Sequence, residues 1–331
     1  MARSWFSINR YTVISLILCV MASGTHIANA ADYRPWTGEF MRMGAGARAL
    51  GMGNAYTAVP GDIYSAYFNP AGLSSMNARQ LSISLRYLSM DRHFKDVIFG
   101  GPIGPDASFA LSWINAGTDE IIGRDLNGNA TGTLNDTRNA FGVTFSKRLN
   151  RMVSLGLNVK YALWKLAGDD ATSFGFDAGI MVEPIDRLTA SFVLRDINSR
   201  FSWKSTRWEK YVGSLDGQSL EKDDEFPVYY TIGAAYRLFA DRLLLAATLE
   251  FLEDNPMGTD LGVQYAYNDT FSFRTGIYNY NSDDALDYGS FSAGFTLQAT
   301  GRIGVDYAYA TDVIDDDSIH SLTLVMTYGA E

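Results

Sequence analysis

Between residues 80 and 328 the sequence divides into segments of roughly ten residues in which apolar side chains occupy every second position, a pattern that leaves few folds open. Successive side chains of a strand point to opposite faces, so each segment has one apolar and one polar side. In the plainest case Val153, Leu155, Leu157, Val159, Tyr161 and Leu163 share a face and are opposed by Ser154, Gly156, Asn158 and Lys160. The pattern recurs in Leu81, Ile83, Leu85 and Tyr87, in Leu188, Ala190, Phe192 and Leu194, and in Leu243, Leu245, Ala247, Leu249 and Phe251. It runs on through Phe291, Ala293, Phe295 and Leu297, through Ile303, Val305, Tyr307 and Tyr309, and through His320, Leu322, Leu324, Met326 and Tyr328. A soluble β-sandwich alternates in the same way, because one face of each sheet packs inward. Connection lengths separate the two architectures.

Short turns are expected at 102–105, 149–151, 184–187, 239–242, 268–270 and 298–301. Longer connections are expected at 117–138, 167–172, 198–226, 253–256, 281–287 and 311–318, after a first at 91–93. Outer-membrane barrels pair short periplasmic turns with longer outer loops in this way. The count predicts an all-β transmembrane antiparallel barrel of about fourteen strands, with both chain ends on the periplasmic side. Charge sorts with the two sides. Asp169, Asp170, Asp223, Asp224, Glu225, Asp283, Asp284, Asp287, Asp315, Asp316 and Asp317 fall in the long connections, and Lys147, Arg148, Arg151, Arg187, Arg242 and Arg302 at the short turns. Solvated loop acid explains the first group better than a cation site, since no spacing matches a calcium loop, and 125–129 is expected to be a turn. Tyr87, Trp113, Tyr161, Trp164, Tyr265, Tyr267, Tyr278, Tyr280, Tyr307 and Tyr309 are expected to form interfacial girdles.

The first thirty residues have the layout of a secretory signal: Arg3 and Arg10, an apolar run at 11–22, and Ala28-Asn29-Ala30 as a small-x-small cleavage site. That run falls short of the ~20 residues a helical span needs, and no other stretch approaches it. The expected divisions are a signal peptide at 1–30, an N-terminal plug segment at 31–78 and an outer-membrane barrel at 79–331. Of 27 basic and 37 acidic residues, the signal removes two arginines, which leaves 25 against 37 and a net charge of −12. Nucleic acid is therefore not expected as a partner, because neutralising phosphates needs clustered Lys and Arg. The lone Cys19 lies in the signal, and only His93 and His320 remain beyond it, so thiol nucleophiles and His-Cys metal sites are excluded from the mature chain. A hydrolase built on His93 with Asp91 and Asp96 is weighed and set aside for two solvated rim histidines. No catalytic residue, metal or cofactor is expected.

Residues 38–78 do not alternate. They carry Gly44, Gly46, Arg48, Gly51 and Gly53 in a run of small residues, then Asp62, then Asn69, Pro70, Ala71 and Gly72. Small residues let backbone approach backbone or a barrel wall, and Asn-Pro stops a preceding turn, which suits a plug. Phosphate binding by the glycines is disfavoured, since no GKS or GKT follows and no buried strand precedes them. This stretch resembles the entry region of the PorV and PorQ family, which belongs with the FadL-like barrels. Gly132-Thr133-Leu134, the run 145–161, and Phe176-Asp177-Ala178-Gly179 followed by Pro184 are similar to that family in order and spacing. The resemblance implies a fourteen-strand FadL-like barrel in the outer membrane of a Gram-negative-type bacterium, with the ten residues just named in a segment folded into or beneath the lumen. It implies a non-enzymatic binding or transit module that handles exported proteins with type IX secretion components. The FadL side of the resemblance implies the alternative, transport of long-chain fatty acids or other hydrophobic small molecules. Outer-membrane lipid is the expected surrounding partner.

Overall fold

A computed structural model describes residues 37–204, 221–252, 255–280, 290–311 and 318–329. The expected signal peptide and the acids Asp283, Asp284, Asp287 and Asp315 to Asp317 lie outside the described residues. Among the described residues, sixteen strands follow a short N-terminal segment: β1 (Arg79–Tyr87), β2 (Arg92–Gly104), β3 (Ala107–Arg124), β4 (Ala130–Arg148), β5 (Val153–Leu166), β6 (Asp169–Ile185), β7 (Leu188–Ile197) and β8 (Arg200–Lys204). Then come β9 (Glu221–Glu225), β10 (Tyr229–Leu238), β11 (Leu243–Leu252), β12 (Asn255–Ala266), β13 (Phe271–Tyr280), β14 (Ser290–Thr300), β15 (Ile303–Thr311) and β16 (Ser318–Tyr328). Each is antiparallel to its neighbours, and β1 pairs with β16 from Arg79↔Tyr328 to Tyr87↔His320, which closes the ring. Fourteen strands make the barrel; β8 pairs with the outer end of β6, from Asp170↔Lys204 to Thr172↔Ser202, and β9 pairs with β8. Closure leaves no free edge in the fourteen-strand ring, the condition for crossing a bilayer with strands.

The alternation in the sequence is the alternation of the wall. Ile83, Leu85, Phe99, Leu111, Phe141, Val143, Phe145, Leu155, Leu157, Phe192, Ile232, Phe273, Phe291 and Leu322 are exposed on the outside, while Ser82, Ser84, Asp96, Thr144, Ser146, Asn158, Asp177, Thr248, Arg274, Asp306 and Thr323 are buried inside. A soluble sandwich would reverse this. Arginine at Val143, which is 57% exposed in the middle of the band, is expected to destabilise the barrel by about 2–4 kcal/mol in urea titrations into liposomes. No change in the unfolding midpoint would mean that this face does not meet lipid.

Several expectations are corrected. The connection at 117–138 is mostly strand: β3 and β4 stay paired out to Arg124↔Ala130, and only 125–129 turns, with Asp125 Oδ1 accepting from Asn127 N and Asn129 N at 2.9 Å each. Past the lipid neither face must be apolar, so alternation vanishes while backbone pairing persists. The connection at 167–172 shrinks to Ala167 and Gly168, both with positive φ (52° and 95°), a tight hairpin turn whose flanking Asp169 and Asp170 belong to β6. The stretch 198–226 contains β8 and β9. Of the girdle candidates, Trp164 and Tyr278 point inward, because they share parity with the lumen-facing Lys160 and Arg274; Tyr278 hydroxyl donates to Thr311 O at 3.1 Å.

Candidate functional site in the lumen

Residues 38–76 lie against the inward faces of the strands and are almost wholly buried, with Ala45, Ala47, Ala49, Met52, Ile63 and Leu73 at 0% exposure. Two short helices, Ala47–Leu50 and Ser65–Phe68, and a 3-10 turn, Pro70–Ser75, are the main regular elements in this stretch. They meet two opposite sectors of the wall. Gly46 N donates to Asp96 Oδ2 at 3.2 Å, Ala47 N to Thr323 Oγ1 at 2.8 Å, and Gly53 N to Ser292 Oγ at 3.0 Å, which ties the first half to β2, β16 and β14. The second half meets β4 to β6. Ser146 Oγ donates to Ala71 O at 2.9 Å, Ser74 Oγ to Ser154 Oγ at 2.8 Å, and Asn69 Nδ2 to Ile180 O at 3.5 Å.

Backbone approach explains the small residues on both sides of the contact. Gly53 has φ 60°, and a Cβ there would stand 2.6 Å from Ile277 N; one on Gly276 of β13 would stand 2.3 Å from Gly53 N. Sequence reasoning missed the wall glycines. Their signal is present in the chain: Gly156, Gly179, Gly262 and Gly276 all occupy inward positions of otherwise ordinary strands.

The ten motif residues divide between these halves. Gly44 N donates to the Tyr67 hydroxyl at 2.9 Å, and a Cβ on Gly51 would stand 3.3 Å from Gly294 Cα. Arg48 and Asp62 meet as an ion pair at 3.1 Å, with Arg48 Nε also donating to Gln264 Oε1 at 3.2 Å. Tyr56 hydroxyl and Tyr64 N donate to the same carboxylate. Burial pushes Asp62 above the usual carboxylate range against the pull of Arg48, and pushes the Tyr67 phenol up to about 12. Asn69 caps the 3-10 turn, its Oδ1 accepting from Ala71 N at 3.0 Å, with Pro70 at the first position and Gly72 packed on Ser65.

Above and below this segment the lumen differs. At the periplasmic end a polar cavity of about 200 Å³ is lined by Arg48, Asp62, Gln80, Gln264, Arg274 and Asp306, among others. Toward the outer ends of β2 to β6 the inner wall carries an apolar cluster: Phe94, Ile114, Ala116, Ala140, Ala162, Ala171, Phe201 and Phe226 gather with Phe40 and Met41 of the segment, and Trp164 and Trp203 are half-buried beside them. Trp164 packs edge-on to Phe201 at 5.4 Å, and Arg138 stacks over it at 4.4 Å while binding Asp136 at 2.6 Å. Between the two zones Lys160 Nζ holds Asp177 at 2.6 Å and Asp196 at 2.5 Å, and Arg42 Nε holds Asp196 at 3.1 Å. Asp196 reaches the lumen beside Arg195 because its φ of 60° breaks the parity of β7; with Asn198 at 56°, it marks the kink where β7 hands over to β8. Neither residue stood out in the sequence. His93 and Asp96 lie on opposite faces of β2: His93 Nδ1 pairs with Asp119 at 3.5 Å outside, and Asp96 faces the lumen. The strand separates the two side chains that the hydrolase idea would join.

No family model matches the chain, and no curated protein matches it in sequence. Solved structures do match its shape. The CymD monoaromatic hydrocarbon channel superposes with a TM-score of 0.62 at 12% identity, covering 87% of this chain and 99% of its own. The toluene transporter TodX of Pseudomonas putida gives 0.61 at 14% identity, over 86% and 97%. A FadL homologue of Pseudomonas aeruginosa gives 0.57 at 15% identity, over 87% and 98%. At these identities the likeness is one of fold. The chain has the closed fourteen-strand fold of FadL-like barrels, and its place is the Gram-negative outer membrane.

Proposed function

We propose that this protein is a non-enzymatic channel for hydrophobic small molecules, with residues 38–78 acting as a plug across the lumen. One observation carries the reading: toward the outer ends of β2 to β6 the inner wall bears an apolar and aromatic cluster, where a channel for water-soluble solutes would present polar groups throughout. Apolar lining with a few placed polar groups is the chemistry of a site for an apolar ligand. The similarity in shape to structures named as hydrocarbon channels supports the same reading. Handling of exported proteins draws on the sequence resemblance alone, strongest between Gly44 and Pro184; its test is a pull-down from native membranes, with a retained secretion component as the supporting result.

Trp164 and Trp203 supply the readout for small-molecule binding. Adding toluene or a long-chain fatty acid to the purified barrel is expected to quench their fluorescence in a saturable way, and proteoliposomes are expected to accumulate the same compound. Aspartate at Ala162, beside Trp164, is expected to weaken binding roughly tenfold or more, since it introduces an unpaired carboxylate among apolar groups. Uptake no faster than through protein-free vesicles would end the proposal.

A further inference from the structure

The lipid-facing surface of β2, β3 and β4 turns polar at one level. Register sets Lys95 opposite Leu85 and Asn115, and Asn115 opposite Asn139, all on outward positions. Toward the periplasm the same three faces carry Val97 and Phe99, Trp113 and Leu111, and Phe141 and Val143. One step outward stands His93, opposite Tyr87 at the end of β1. The row therefore sits where the apolar band gives way to headgroups. On β10, β11, β13 and β14 the outward positions toward the outer side include Tyr230, Phe251, Ile277 and Phe291.

The side chains of the row are joined so that their oxygens are used and donors are left over. His93 Nε2 lies 3.2 Å from Asn115 Oδ1; Asn115 Nδ2 donates to Asn139 Oδ1 at 3.2 Å and to Arg138 O at 3.3 Å; Trp113 Nε1 donates to Asn139 Oδ1 at 3.1 Å. These bonds hold Asn115 at only 9% exposure on the outer surface of the barrel. Among the described residues, the exposed Lys95 ammonium and the Asn139 Nδ2 group make no hydrogen bond or ion pair. Both face the bilayer. Unpaired donors that include a full positive charge call for an anionic, acceptor-rich group, and a phosphate offers both properties.

We propose that this row binds the phosphorylated headgroup of an outer-leaflet lipid. Its phosphate oxygens accept from Lys95 Nζ and Asn139 Nδ2, and its acyl chains lie along Val97, Phe99, Trp113 and Phe141. The apolar surface directly beneath the donors selects a lipid over a free anion, since it gives the chains a place only when the headgroup is seated above.

Native mass spectrometry of the full chain in detergent tests this, with a diphosphorylated disaccharide lipid, its dephosphorylated counterpart and inorganic phosphate as probes. The expected result is one diphosphorylated lipid retained per chain, with roughly tenfold weaker retention by Lys95→Ala and by the Lys95→Ala, Asn139→Ala pair. Lys95→Arg is expected to bind like the original chain, and the dephosphorylated lipid as weakly as the alanine variants. Gel mobility without heating shows that each variant remains a folded barrel. Equal retention of both lipids, equal retention by Lys95→Ala and the original chain, displacement by excess inorganic phosphate, or a lipid-free dimer held through this face would each overturn the proposal.

Discussion

Leucine in place of Gly276 is expected to lift residues 47–54 off the β13 wall and to convert a closed barrel into a conducting pore. A Cβ at this position falls 2.3 Å from Gly53 N and 2.3 Å from Met52 C, both backbone atoms without rotamer freedom. Overpacking of this kind is unfavourable by about 1–3 kcal/mol where the surroundings yield, and here the segment is the part able to yield. Its hold on that side consists of a few hydrogen bonds, Gly53 N to Ser292 Oγ and Ala47 N to Thr323 Oγ1 among them. The hold on β4 to β6 through Ser74, Asn69 and Ala71 remains, so the segment swings aside rather than leaving. Planar-bilayer conductance should rise, and a protease added from the periplasmic side should begin to cut after Arg48. Unchanged conductance, with the segment still protected, would show that it does not close the lumen.

The second large effect is expected at Asp196. This carboxylate receives Lys160 Nζ and Arg42 Nε and is 1% exposed, so alanine removes the acid that the two cations share. Removing one partner of a buried charge cluster typically destabilises by about 3–5 kcal/mol. Urea unfolding in liposomes should show a loss of that size for Asp196→Ala. The pair Asp196→Asn with Lys160→Met removes one charge of each sign and should recover most of it. A loss below about 1 kcal/mol, the range of an exposed ion pair, would mean that water already reaches the cluster.

Much of the fold was legible because lipid favours apolar side chains on the outward positions within the bilayer band, and few folds other than a barrel keep a period-two pattern over so many strands. Legibility failed where that rule stops. The outer halves of β3 and β4 stand in water and lost their alternation, and Asp169 and Asp170 look like loop acids although they open β6. Trp164 was misplaced because an aromatic near a strand end suits the membrane interface and the lumen equally; only its parity with Lys160 decides. The motif from Gly44 to Gly72 was visible as small residues, yet its partners were not. They are single inward positions scattered over seven or more strands, and nothing local in the chain marks Ser146, Ser292 or Thr323 as their counterparts. Asp196 was hidden for another reason: a left-handed residue reverses the parity from which its direction would be inferred.

Thr323 has a consequence for how the molecule is put together. Its hydroxyl accepts from Ala47 N and donates to Ser84 Oγ, so one side chain on the final strand links the inserted segment and the opening strand across the seam. The last stretch of polypeptide to be synthesised therefore completes a contact with nearly the first. Docking of residues 47–50 is thereby linked to the joining of the two terminal strands, and a nascent barrel lacking its final hairpin holds this segment by its remaining contacts with β2, β14 and β4 to β6 alone.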